Sequence, residues 1–210
     1  MLGKDEQAAS LEAIDKVRQS AANHLGTNRD CAVDFVANLH RAVDRIMQQA
    51  GSQMECRIGC ANCCSVRVEA TEPEIFLIAR VIRQLPEDQV LPILERLRNH
   101  VAVNDDMRHA DCAFLEDKLC SIYEVRPAVC RRAHSLSVER CVSFAPEIPQ
   151  NLDILLRADV LMKGTAEAYR QVGLQSSAHE LCLTVLLALS DETAEERWHS
   201  GESVFPEDPA

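Results

Sequence analysis

Eight of the ten cysteines in this chain fall into two groups, and such grouping is typical of metal ligands or of disulfide frameworks. The first group has the spacing C-x3-C-x2-C-C and consists of Cys56, Cys60, Cys63 and Cys64. The second group is more widely spaced and consists of Cys112, Cys120, Cys130 and Cys141. Isolated structural cysteines do not cluster in this way. The two groups are therefore the candidate site for chemistry.

The start of the sequence favours metal ligation over disulfides. Residues 1–7 contain no basic segment, no apolar segment and no small-residue cleavage site of a secretory signal. We therefore expect a cytoplasmic protein. Structural disulfides are rare in that reducing compartment, so metal ligation is favoured. A chain of 210 residues with 47% hydrophobic residues can also bury a core without disulfide cross-links. The cysteines are accordingly predicted to bind metal.

The number of ions and the identity of the metal stay open at this point. Eight thiolates can fill two four-coordinate sites, or one site with thiols left over. Adjacent residues chelate one ion poorly because their side chains diverge. The neighbours Cys63 and Cys64 are therefore expected to serve two centres or to leave one thiol free. Structural zinc and an iron–sulfur cluster such as [4Fe–4S] both fit a set of cysteine ligands.

Several other residues bear on the site. Arg126 and Arg131 lie between cysteines of the second group and are expected to offset thiolate charge, although pairing with acidic neighbours is an alternative. His134 follows a cysteine by one helical turn and is a candidate ninth ligand, but a lone histidine is more often an ordinary surface or core residue. Cys31 and Cys182 stand apart in predicted apolar helices. We expect both to be buried as small hydrophobic residues.

Composition limits the classes of partner. The formal net charge of -11 argues against a general nucleic-acid binder, which would need a basic face. No apolar run approaches the roughly 20 residues of a membrane span. We expect a metal ion as the partner and neither nucleic acid nor membrane, while the sequence identifies no protein partner.

The elements that must position the cysteines are predicted to be mostly helices. Apolar residues recur at helical spacing in two stretches of the first 50 residues, which predicts a helical hairpin that ends at Gly51. Thr71 and Glu74 form a capping-box pattern at the start of another helix. A short strand is predicted at 66–69. Helices beyond the hairpin are predicted at about 72–84, 87–103, 152–171, 178–189 and 193–198.

The second cysteine group is predicted to lie on a small β hairpin and a short helix. Residues 112–123 form the hairpin with a turn at 116–118, and Pro127 suits the first turn of the helix. The fold class is mainly α with a minor β hairpin, organised around a cysteine-rich metal-binding core. We divide the chain into an N-terminal helical hairpin (1–52), a cysteine-cluster metal-binding domain (53–148), C-terminal helices packed on the core (149–200) and an acidic tail that we expect to fray (201–210).

These residues carry a resemblance to a known family. The C-x3-C-x2-C-C run, followed by the string C-S-I-Y-E-V-R-P-A-V-C-R at 120–131, resembles the YkgJ-type cysteine-cluster family. The resemblance covers residues 56–145 and implies chelation of zinc or iron. Related cysteine clusters occur in flagellin lysine methylases, so the resemblance also implies, more distantly, iron–sulfur chemistry.

Three hypotheses for function follow. The first is a cytoplasmic metal-binding protein with a role in metal handling or redox. The second is a metal- or iron–sulfur-dependent enzyme distantly related to flagellin lysine methylases, for which Tyr123, Glu124 and His134 are the nearby acid–base candidates. The third is a metal-stabilised protein-interaction module, in which residues 1–50 recruit a partner or form a homodimer. For residues 1–50 we favour a helical pair packed on the core, because the heptad-like pattern is short.

Overall fold

The computed structural model describes residues 3–49, 54–57, 59–103 and 111–206, and these are mainly helical. The helices are α1 (Lys4–Thr27), α2 (Ala32–Gln49), α3 (Glu72–Arg83), α4 (Glu87–Val103), α5 (Ala128–Arg132), α6 (Val138–Val142), α7 (Leu152–Gln171), α8 (Leu181–Ser190) and α9 (Ala194–His199). The strands are β1 (Glu69–Ala70), β2 (Leu115–Glu116), β3 (Leu119–Cys120) and β4 (His179–Glu180). The predicted fold class, mainly α with a minor β component, is confirmed. Among the described helices, none is long and apolar enough to cross a membrane.

The predicted N-terminal hairpin is formed by α1 and α2, and it packs on the C-terminal part of the chain. A Cβ built on Gly164 of α7 would lie 2.6 Å from the Cβ of Val17 on α1, so these two helices cross in close contact. The apolar stripe of α2 is buried inside the chain, where Val36 and Val43 pack with Ala158 of α7. Gly51, the predicted end of the hairpin, lies outside the described residues. A homodimer through residues 1–50 stays a prediction.

An aromatic cluster forms the centre of the larger core. Phe76 of α3 packs on Trp198 of α9 with ring centroids 5.5 Å apart, and the Tyr169 hydroxyl donates to the Ala32 carbonyl at 2.7 Å. Phe205 stacks on Phe76 and is only 5% exposed. The expectation that the whole tail frays is therefore wrong for 201–206, because burial of this phenyl ring holds the segment on the core. Residues 207–210 lie outside the described part.

The helices around the site begin and end close to the predicted positions. The capping box at the start of α3 is confirmed, since the backbone N–H of Thr71 donates to the Glu74 carboxylate at 3.0 Å. Helix α4 spans the predicted range 87–103 and includes Pro92. Pro127 directly precedes α5 rather than lying in its first turn. The five-residue helix α6 was not predicted, because it is too short to show a periodic pattern.

Two small antiparallel strand pairs complete the fold. The predicted hairpin is formed by β2 and β3, and the two residues between them, Asp117 and Lys118, have φ of 48° and 65°. Positive φ at both positions matches the twist of a two-residue hairpin turn. The strand predicted at 66–69 is shifted to β1, where it pairs with β4. Pairing with β4 also explains why α8 begins at Leu181, later than predicted, with Glu180 as its N-cap.

Candidate metal centre

The first cysteine group lies on an irregular segment. The backbone N–H of Cys60 donates to the Arg57 carbonyl at 2.9 Å, and Gly59 has φ of 83°, a left-handed conformation that glycine adopts at little cost. Cys63 and Cys64 lie in a short 3-10 helix that spans Asn62–Ser65. Ile58 lies outside the described residues. The segment thus places four thiols on one turn-rich stretch without any regular long helix.

The second group reaches the first from four separate elements. Cys112 precedes β2, and its backbone N–H donates to the Cys64 carbonyl at 2.8 Å. Cys120 ends β3, Cys130 lies on α5 and Cys141 lies on α6. Residues far apart in sequence are therefore brought to one region of the molecule. All eight cysteines carry free thiols.

The electrostatic influences on Cys56 identify the thiols at one end of this region. Burial raises the pKa of Cys56, and negative charge on Cys60, Cys63 and Cys141 raises that pKa further. The backbone N–H of Ser135 donates to the Cys56 sulfur at 3.2 Å and acts in the opposite direction. Cys141, from the second group, thus lies beside the first group.

The adjacent pair lies between this end and the other cysteines. A hydrogen bond from Cys64 lowers the pKa of Cys63 to about 6, and the same bond raises the pKa of Cys64. The charges of Cys112 and Cys120 raise the pKa of Cys64 further. Burial raises the pKa of Cys130 to about 12, and nearby thiols add to that shift. Negative charge on Cys63 raises the pKa of both Cys56 and Cys130, so Cys63 lies near both ends of the region.

The donor chemistry fits zinc or iron, although the sulfur atoms are spread out. In the described part of the chain, no three of the eight sulfurs lie within 4.8 Å of one another. Thiolates around one tetrahedral Zn²⁺ lie about 3.8 Å apart, given Zn–S bonds of about 2.3 Å. Metal binding at these residues therefore requires the five cysteine-bearing segments to approach one another.

The two arginines predicted to lie near the thiolates have different surroundings. The Arg126 guanidinium stacks on the Tyr123 ring at 3.7 Å and helps to lower the pKa of Cys63 through its charge. Arg131 is buried and donates to the Asp44 carboxylate at 2.7 Å and to the Arg126 carbonyl at 2.9 Å. Arg126 faces the cysteines, while Arg131 fixes the segment before α5 to α2.

Both ring nitrogens of His134 are engaged in hydrogen bonds. Nε2 accepts from the backbone N–H of Asn151 at 2.8 Å, so Nδ1 carries the proton that is donated to the Arg132 carbonyl at 2.9 Å. The side chain is 5% exposed, so His134 is a core residue, one of the two ordinary positions expected for a lone histidine. The imidazole ring thus joins α5 to the start of α7 and leaves no nitrogen for a metal or for proton transfer.

The acid–base candidates beside the hairpin have structural surroundings as well. Tyr123 is 54% exposed and carries the stacked guanidinium described above. The main-chain carbonyl of Glu124 accepts a hydrogen bond from Arg131. Neither side chain is directed by a described hydrogen bond toward a thiol. These surroundings give no specific support to the enzyme hypothesis.

Two cysteines outside the groups differ from each other. Cys31 is exposed in a short 3-10 helix, so the expectation that it is buried is wrong. Cys182 is buried as expected, but its thiol forms a hydrogen bond with Cys112, which sequence reasoning missed. Spacing alone gives no signal for this contact, because it depends on how α8 packs against the segment that precedes β2.

A comparison with known protein families finds a match for the cysteine-rich segment. Residues 55–149 match the CxxCxxCC family model, which is described as a "putative zinc- or iron-chelating domain". The match confirms the resemblance to a cysteine-cluster family. The match supports metal binding in general at residues 55–149, and it does not distinguish zinc from iron. No curated protein and no solved structure matches the chain.

Proposed function

We propose that this chain is a cytoplasmic metal-chelating protein that binds zinc or iron through the thiolates of both cysteine groups. The observation that carries the proposal is the hydrogen bond from the backbone N–H of Cys112 to the backbone carbonyl of Cys64. This bond, 2.8 Å long, joins the two cysteine groups. Five segments of the chain bring free thiols to this region, which matches a chelating family. Packing alone does not account for so many polarisable donors in one place.

The distribution of the thiols supports two neighbouring centres. Cys56, Cys60 and Cys141 lie at one end, since negative charge on Cys60 and Cys141 raises the pKa of Cys56. Cys112, Cys120 and Cys130 lie at the other end by the same criterion. The remaining pair, Cys63 and Cys64, lies between the ends and supplies one thiolate to each centre. This division gives four ligands per ion, the usual number for structural zinc.

Exposure of the site supports a role in metal handling or redox. Cys56 and Cys63 are exposed in the structure, so a metal bound there can be reached by a chelator, a reductant or a partner thiol. A buried structural zinc site lacks such access. The sulfurs also have to approach one another on binding, which couples metal content to the folding of the irregular segment.

Substitution of single ligands tests the proposal. Cys120→Ser and Cys130→Ser each remove one thiolate from the second centre and are expected to lower the metal bound per chain. Cys31→Ser is the matched control, because Cys31 is exposed and stands outside both groups. Metal content should be measured on folded protein that was purified under reducing conditions. Unchanged metal in both variants would exclude these residues as ligands.

A further inference from the structure

A second set of metal-binding side chains lies next to the cysteine groups and shares none of their ligands. His100 in the last turn of α4, Glu180 at the end of β4 and Cys182 in α8 each place one donor atom within 4.8 Å of the other two. It is the one such group of three among the described residues. The three residues come from two separate parts of the sequence, so the convergence is a product of the fold.

The surrounding contacts hold helix α4 and the Glu180 carboxylate in place. Arg96, one turn before His100, donates to the Ala113 carbonyl at 3.0 Å and fixes α4 to the segment that precedes β2. The Glu180 carboxylate accepts from the backbone N–H groups of Cys182 and Leu183, which determines its orientation. These bonds use two of the roughly four lone-pair positions of a carboxylate and leave the others free.

Charge distinguishes Glu180 from the other buried glutamates. Glu72 pairs with His179 at 3.1 Å and Glu74 pairs with His40 at 3.2 Å. Glu180 is 9% exposed, yet among the described residues no basic side chain lies within 4.0 Å of its carboxylate. A buried carboxylate is costly without a compensating cation. His100 forms no hydrogen bond within the described part of the chain, so its ring is free to bind an ion.

We propose that His100, Glu180 and Cys182 form a separate site for one divalent metal ion of the zinc class. The mixed nitrogen, oxygen and sulfur donors are those that Zn²⁺ accepts, at bond lengths of about 2.0 to 2.3 Å. Ligands of one tetrahedral ion lie about 3.3 to 3.8 Å apart, so donors within 4.8 Å need to approach one another by at most about 1.5 Å. Metal binding displaces the thiol proton of Cys182 to solvent and neutralises the Glu180 charge.

Metal counting on the full chain tests this site. Reduced protein is saturated with Zn²⁺ and desalted, and zinc per chain is measured for the wild type, His100→Ala, Cys182→Ala and the control Cys31→Ala. We expect His100→Ala and Cys182→Ala each to lose one zinc per chain and Cys31→Ala to lose none. Wild-type zinc content in both site variants would overturn the proposal and show that His100, Glu180 and Cys182 lie close together without binding zinc.

The result is separable from the proposed function. If Cys120→Ser and Cys130→Ser keep all their zinc but His100→Ala loses one equivalent, the cysteine centres fail and the separate site stands. His100 is only half-buried, so its replacement leaves the core intact and decides the outcome even if Cys182→Ala does not fold. Circular dichroism of each variant confirms that only folded protein is compared.

Discussion

The Glu74 carboxylate accepts a hydrogen bond from the backbone N–H of Ala128 at 2.7 Å, although 54 residues separate them. Ala128 begins α5, the helix that carries Cys130. The same carboxylate accepts from Thr71 at the start of α3 and contacts His40 of α2. A single buried side chain therefore fixes the cysteine-bearing helix to two helices of the core.

Replacement of Glu74 should destabilise the whole protein. In Glu74→Gln the amide cannot accept all of these hydrogen bonds, and we expect the free energy of unfolding to fall by about 3 kcal/mol. Glu95→Gln, an exposed position on α4, is the matched control and should change it by less than about 0.5 kcal/mol. Urea unfolding monitored by circular dichroism measures both. Equal stability of the two variants would show that the Glu74 contacts contribute little.

Glu74 should also make stability depend on pH. Burial raises its pKa, but His40 and the N–H groups of Ala128 and Thr71 outweigh burial and lower it below the ordinary value. The folded state thus binds this proton less readily than the unfolded chain. The contribution of Glu74 is complete above the unfolded pKa of about 4.3 and is lost as pH falls through the lowered value.

Unfolding by urea across the acid range, with a chelator present, measures this dependence. We expect the free energy of unfolding of the wild type to fall more steeply below about pH 4.3 than that of Glu74→Gln. The Glu95→Gln control should keep the wild-type slope. Parallel curves for all three proteins would contradict the assigned pKa direction.

Much of the helical framework could be predicted from the sequence. Long apolar stripes identify α1, α2 and α7, and the capping box identifies the start of α3. Two-residue strands such as β1 and β4 show no alternation, and their pairing joins segments far apart in the chain. The short helix that carries Cys141 lacks a full period as well. Local patterns therefore locate the helices but not the contacts between distant segments.

The candidate site could likewise be predicted only in part from the sequence. Spacing identifies the eight cysteines of the two groups, because clustering is visible along the chain. The contact of Cys182 with Cys112 and the approach of His100 to Glu180 depend on tertiary packing alone. The prediction for residues 201–206 was wrong because burial of one phenyl ring, Phe205, holds this segment on the core.

The close crossing of α1 and α7 should tolerate no side chain at Gly164. A Cβ at this position would lie 2.6 Å from the Val17 Cβ and 2.8 Å from the Ile14 carbonyl oxygen. We expect Gly164→Ala to lower the free energy of unfolding by about 1 to 3 kcal/mol, although alanine favours helix formation. Thermal unfolding measures the change.

Gly26→Ala is the matched control for this crossing. No atom lies within 4 Å of a Cβ built on Gly26 in α1, so alanine there should be neutral or slightly stabilising. The double variant Gly164→Ala with Val17→Ala should recover part of the lost stability. A Gly164→Ala protein as stable as Gly26→Ala would mean that the two helices are not in close contact.

Arg131 should contribute to the stability of the fold, and Arg126 should contribute to metal affinity. Arg131→Lys loses the planar fork that joins Asp44 to the Arg126 carbonyl, and we expect a loss of about 2 to 3 kcal/mol in urea unfolding. Arg126→Gln removes positive charge beside Cys63 and Cys120. It should bind zinc several-fold more weakly in a chelator competition, with stability nearly unchanged. The reverse pattern would assign the two arginines opposite roles.

The most direct test of metal chelation is the metal content and visible spectrum of the full chain purified without oxygen. We predict stoichiometric metal held through the cysteine groups. A brown protein with iron and acid-labile sulfide would identify a cluster, and a colourless protein with tightly bound zinc would identify zinc centres. A folded protein that contains neither metal, and takes up neither when they are supplied under reducing conditions, would contradict the account.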